Sequence, residues 1–147
     1  MRLLATLAAI AALLVHLPAA LAQDRPLATL YKNPQCGCCE GYADYLRGNG
    51  FEVDVRPTME LAEISRRAGV PAEIQGCHTM FIDDYVIEGH VPIGTIDRLL
   101  PERPQIAGIT LPGMPLGSPG MGGARNGTWT IYAIPADGGA PSVYATE

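Results

Sequence analysis

The sequence predicts an α/β protein: a two-layer fold built over a mixed sheet, in the order β-α-β-α-β-β-α. Three observations carry this. Short apolar runs alternate with segments whose apolar residues recur every three or four positions. Turn-forming Gly, Pro, Asn and Asp punctuate the boundaries. Two neighbouring apolar runs flank the acidic pair Asp83-Asp84, which reads as an antiparallel hairpin and makes the sheet mixed.

Residues 27–31 read as the first strand, broken by Asn33-Pro34-Gln35. A helix begins at Cys38 or Cys39, carries Tyr42, Ala43 and Leu46 on one stripe, and ends at residues 48–50. Residues 51–55 alternate apolar and acidic side chains, as a half-buried strand does. Pro57-Thr58 opens a second helix with Thr58 as its N-cap, Glu60 in the first turn, Arg66-Arg67 in the last turn and Gly69 as the stop. Its stripe is Leu61, Ile64 and Ala68. The hairpin pairs residues 79–82 with 85–87. Pro92 then starts a third helix with Ile96, Leu99 and Leu100, stopped by Pro101. Residues 104–124, with Pro104, Pro112, Pro115 and Pro119 among glycines, read as a loop without periodicity. Residues 129–134 and 142–145 read as a terminal hairpin across Asp137-Gly138-Gly139.

The N-terminus reads as a secretory signal. Arg2 is the positive region, residues 3–17 are almost wholly apolar, and Ala20-Leu21-Ala22 fits a cleavage site, with Gln23 as the mature start. An uncleaved anchor is the alternative. The expected layout is a signal peptide over 1–22, the principal α/β domain over 23–103, a Gly/Pro/Met loop over 104–124, and a C-terminal hairpin over 125–147 packed on the same domain. The net charge is −5, and loss of Arg2 with the leader makes it −6. An acidic exported chain is a poor nucleic-acid binder. No second apolar run reaches membrane length, so no membrane association is expected after cleavage.

Export places the cysteines in an oxidising compartment, where an even count usually means disulfides. Here three of the 4 cysteines crowd into Cys36-Gly37-Cys38-Cys39, and the fourth stands in Cys77-His78. Adjacent Cys38 and Cys39 make a poor staple, because the loop they would close is tiny and strained. Such a cluster suits Cu(I), Zn(II) or disulfide chemistry.

Five segments in order resemble the CopG family of exported, thioredoxin-like copper-resistance proteins. They are Asn33-Pro34-Gln35-Cys36-Gly37-Cys38-Cys39, Gly69-Val70-Pro71, Cys77-His78-Thr79, Val86-Ile87-Glu88-Gly89-His90-Val91-Pro92, and the Pro112 to Met121 stretch. Two departures stand beside the match: Asp83-Asp84 at a turn where relatives often carry Asp-Gly, and Gly122 where relatives carry an acid. The resemblance implies a thioredoxin-like fold with copper held by Cys36, Cys38, Cys39 and Cys77 as a multinuclear thiolate-bridged cluster in the periplasm. It places Cys36 and Cys39 at the N-terminus of the first helix, where the positive helix end lowers thiol pKa. It also puts Cys77 where ordinary thioredoxins carry a cis-proline.

Each candidate has two readings. Cys36 and Cys39 are metal ligands or a redox disulfide pair. Cys38 is a ligand or a buried helix cysteine, and Cys77 a ligand or a disulfide partner. His78, beside Cys77 on an expected strand, points the opposite way, as a surface or supporting group or as a ligand. His90 serves a loop hydrogen bond or the metal. Met114 and Met121 supply thioethers or fill gaps. Met80 is expected in the core and Met59 in packing. The leading function is a periplasmic copper-resistance protein holding Cu(I), cycling it with Cu(II), and passing copper to a transfer, efflux or storage partner. The alternatives are a thiol–disulfide oxidoreductase using Cys36 and Cys39, and a zinc-stabilised structural module.

Overall fold

The computed structural model describes residues 25–147, so the expected leader over 1–22 and the start at Gln23 lie outside the described residues. Seven strands form one sheet in the order β2-β1-β3-β4-β5-β6-β7. They are β1 (Ala28–Lys32), β2 (Val53–Pro57), β3 (His78–Ile82), β4 (Tyr85–Gly89), β5 (Gly108–Leu111), β6 (Thr130–Ile134) and β7 (Ser142–Thr146). Among the described residues the helices are α1 (Gly37–Gly48), α2 (Leu61–Arg67) and α3 (Ile93–Glu102), with a 3-10 turn at Ala72–Ile74. β1 pairs parallel with β2 and β4 parallel with β5; the other pairings are antiparallel. This is a thioredoxin-like α/β fold.

The connections dictate where chemistry collects. The C-terminal ends of β1, β4 and β5 and the start of β3 share one end of the sheet. That end receives Cys36, His90, the segment after Leu111, and Cys77. One face is sealed by α1 and α3: Tyr42, Leu46, Ile96 and Leu99 join Leu30, Met80 and Ile87 in one fully buried cluster. Each such side chain contributes about 1.5–3 kcal/mol through removal from water. On the other face α2 brings Ser65 against Thr79, while Val70, Ile74, Val86 and Ile134 form a second cluster. Covered on both sides, β4 and β5 are buried along their whole length.

Several expectations are corrected. The segment 104–124 is not all loop, because residues 108–111 form β5 between β4 and β6. Gly108 is required there: a Cβ would fall 1.9 Å from the Val86 carbonyl oxygen. The terminal hairpin extends the same sheet through β6. α2 starts at Leu61 rather than at Thr58; Pro57 completes β2, and the Thr58 hydroxyl accepts the Glu60 N–H ahead of the helix. The stripe Leu61, Ile64 and Ala68 is only half-buried, and Ser65 is the buried position. Pro101 does not stop α3, which runs to Glu102. Proline is tolerated there because the carbonyl left without its helical donor is that of Asp97, an exposed residue. Met59, expected in packing, is 81% exposed.

Candidate metal centre

Cys36 is the N-cap of α1, so Cys38 and Cys39 fall in the first turn, where backbone N–H groups have no intrahelical acceptor. Lys32, buried at the end of β1, fixes the approach. Its ammonium donates to the carbonyls of Asn33 (3.2 Å) and Pro34 (3.4 Å) and pairs with Glu40 at 3.0 Å. The turn before Cys36 is thus tied to both strand and helix.

The four thiol positions converge. Cys36 and Cys39 are joined as a disulfide. Cys38 Sγ lies 3.4 Å from Cys36 Sγ, and Cys77 Sγ lies 3.4 Å from Cys39 Sγ. A second group adjoins the first: Cys39, Cys77, His78 and His90 also place their donor atoms within 4.8 Å of one another, as do the four cysteines. Cys39 and Cys77 belong to both groups.

The histidines differ from expectation. Cys77 lies just before β3, so strand alternation does not separate it from His78. His78 is fully buried, with Nδ1 3.7 Å from Cys77 Sγ and its ring stacked on Tyr42 at 4.6 Å. It is therefore not a surface group. Its Nε2 has no hydrogen-bond partner among the described residues. His90 makes the expected loop hydrogen bond, Nδ1–H donating to Pro119 O at 2.5 Å, and also places Nε2 2.9 Å from Cys77 Sγ. A neutral imidazole held by one N–H on a backbone carbonyl presents a lone pair on the other nitrogen, the usual pose of a histidine ligand.

Burial governs the protonation of the site. It pushes the Cys77 thiol up to about 12, with Cys38 adding to the effect. It lowers His78 to about 3, with His90 contributing, and it lowers His90 as well. Both imidazoles are thus neutral at pH 7, while the Cys77 thiol keeps its proton until a cation displaces it.

The segment after β5 lies across this end of the sheet. Gly120 (φ +77°) touches α1 so closely that a Cβ would come within 2.4 Å of Tyr42 N and 2.8 Å of Cys38 O. Met121 follows it, half-buried, while Met114 stands 40% exposed on the turn beyond β5. Sequence reasoning missed three supporting residues: Lys32, Glu88, and Tyr42 as a wall of the site. The Tyr42 hydroxyl donates to Val91 O at 2.8 Å, and its ring meets both histidines. In the sequence Lys32 and Tyr42 show only as a polar residue and a phenol at positions patterned for burial, and Glu88 as a member of the Val86 to Pro92 segment that carries the resemblance.

Two solved structures, titled "Copper resistance protein copG- Form 2" and "Copper resistance protein copG- Form 1", are each 35% identical to this chain. They superpose with TM-scores of 0.77 and 0.76, and each match covers 84% of this chain and 98% of theirs. The chain belongs to the CopG family. A family model described as "Protein of unknown function, DUF411" matches residues 74–121, a stretch that holds Cys77, His78, His90, Met114 and Met121 and stops short of the N-terminal trio. A search of curated proteins gave no match. In this CopG-family chain the structure brings the trio and the 74–121 segment into one cluster of donors.

Proposed function

We propose that this protein is a copper-binding protein of copper resistance, exported to the periplasm after cleavage behind Ala22, and that it holds Cu(I) through Cys36, Cys38, Cys39 and Cys77. The observation that carries the reading is the sharing of Cys39 and Cys77 between two donor groups. Thiolates bridge readily between soft cations, so two adjoining groups with common sulfurs suit a thiolate-bridged Cu(I) cluster. The Cys39, Cys77, His78 and His90 group alone is a Cys2His2 set that also suits zinc. What favours copper is the run of adjoining sulfurs beside it and the likeness to two structures named as copper resistance proteins. His78, whose buried Nε2 lacks a partner among the described residues, and His90, already oriented by Pro119 O, complete the set as nitrogen donors.

Holding an ion through Cys36 and Cys39 requires their disulfide to take up two electrons and two protons from an external dithiol, which leaves as its own disulfide, giving two thiols here. Each thiol then releases its proton on ligation. Cycling of the ion with Cu(II) is a one-electron step that would need an external electron acceptor and donor, whereas its delivery to a transfer or efflux partner would proceed by ligand exchange at this end of the sheet, with the Met114–Met121 stretch as the path in or out. Anaerobic titration of the reduced protein, with copper and zinc quantified in parallel, tests this. At least one tightly held Cu(I) per chain is expected; a smaller value, or preference for zinc, sinks the reading.

The Cys36–Cys39 disulfide favours one other reading: a thiol–disulfide oxidoreductase with Cys36 as nucleophile and Cys39 as resolving thiol. Robust insulin reduction by metal-free protein would promote it over copper binding.

A further inference from the structure

On the face of the sheet opposite His78, Thr79 of β3, Glu88 of β4 and Thr110 of β5 stand in cross-strand register, all fully buried. A buried carboxyl group costs free energy unless its oxygens are satisfied, and an apolar side chain would pack there at lower cost. Glu88 Oε1 accepts the Gly76 N–H at 2.8 Å and lies 3.5 Å from Ser65 Oγ, while Oε2 has no partner among the described residues. Thr110 Oγ1 donates to Ile74 O at 2.8 Å. Gly76 also lies directly on β4, since a Cβ there would come within 2.8 Å of Gly89 Cα. Side chains of the sheet thus hold peptide groups of residues 74 and 76, and the next residue is Cys77.

We propose that Glu88 is a positioning residue for Cys77: by accepting the Gly76 N–H from beneath the sheet, its carboxyl group sets Cys77 Sγ within reach of Cys39 and His90. The inference rests on Cys77 belonging to the metal centre, but it is a statement about sulfur placement and is tested without metal. The contacts at stake are short, 3.4 Å to Cys39 Sγ and 2.9 Å to His90 Nε2, so a shift of about one ångström at Gly76 would break both. Glutamine keeps an acceptor oxygen at the same reach; leucine keeps the bulk and removes it.

The test is made on metal-free, reduced protein with Cys36→Ser and Cys38→Ser, so that Cys39 and Cys77 are the thiols left. Diamide, a two-electron thiol oxidant, is added, and the Cys39–Cys77 disulfide is followed by non-reducing peptide mapping. With Glu88→Leu the cross-link should form about tenfold more slowly than in the parent, and with Glu88→Gln within about twofold of it. Parental speed in Glu88→Leu, or a Glu88→Gln variant as slow as Glu88→Leu, overturns the proposal. Should Glu88→Leu fail to fold, amide exchange in the parent decides: Gly76 N–H protected by at least about tenfold supports the proposal, and exchange at the rate of a free loop amide overturns it. Cross-linking as expected in a protein that takes up no Cu(I) would reject the copper reading and leave the positioning role standing.

Discussion

Glu88→Gln gives the sharpest energetic test of how the sheet was built. Burial raises the Glu88 carboxyl from 4.5 to about 7 in the folded protein. The folded state therefore keeps a proton that the unfolded chain has lost. The group's contribution is fully present below pH 4.5 and disappears as pH rises through about 7. A shift of about 2.5 units, at about 1.36 kcal/mol each, makes the loss about 3 kcal/mol. His78 works in the opposite direction, since its folded value is held at about 3 against 6.5. Its contribution is complete above pH 6.5 and is lost as pH falls toward 3, so the two slopes oppose each other between pH 4.5 and 6.5. Subtracting the stability of Glu88→Gln from that of the parent isolates the glutamate. Urea unfolding of the metal-free protein, repeated from about pH 4 to 8, should show this difference falling by about 3 kcal/mol as pH rises. A difference flat to within about 0.5 kcal/mol would refute burial as the cause of the shift.

His78→Phe should gain relative stability below pH 6.5, approaching about 5 kcal/mol near pH 3, as read from the same titrations. Cys77→Ser should lower copper content sharply in protein taken from copper-fed periplasm, while circular dichroism stays unchanged, because Cys77 serves both donor groups and lies outside the apolar core. Chelation should leave the protein folded, as its melting curve would show, since the core is sealed by Leu30, Leu46, Ile87 and Leu99 without a metal; unfolding on chelation would point to a structural zinc site instead. Gly120→Ala should make copper leave about tenfold faster in a chelator-competition assay, because the added Cβ meets Tyr42 N and moves the Pro119 carbonyl that orients His90.

The hairpin over Asp83-Asp84 was legible because two apolar runs around a two-residue turn have few other solutions, and Asp83 takes the left-handed φ of +50° that such a turn needs. α1 was legible because Tyr42, Ala43 and Leu46 repeat at helical spacing and are, with Cys39, the residues it buries. β5 was not legible. Its four residues are too short to show a period, and prolines and glycines surround them; only pairing with β4 and β6 makes the segment a strand. His78 was misplaced for a related reason, since the alternation rule was applied from Cys77, one residue before the strand begins.

What the sequence by itself determined was the inventory: the clustered thiols, the order of elements from β1 through α3, and the terminal hairpin. These are local properties, written in spacing and residue type. Tertiary structure alone decided which groups meet. Cys77 and Cys39 are far apart in the chain, as are His90 and Pro119, and their contacts exist because parallel and antiparallel strands deliver four chain segments to one end of the sheet. Glu88 had no functional meaning until that sheet set it beneath Gly76, because a hydrogen bond between distant residues is a fact of geometry that no local pattern encodes.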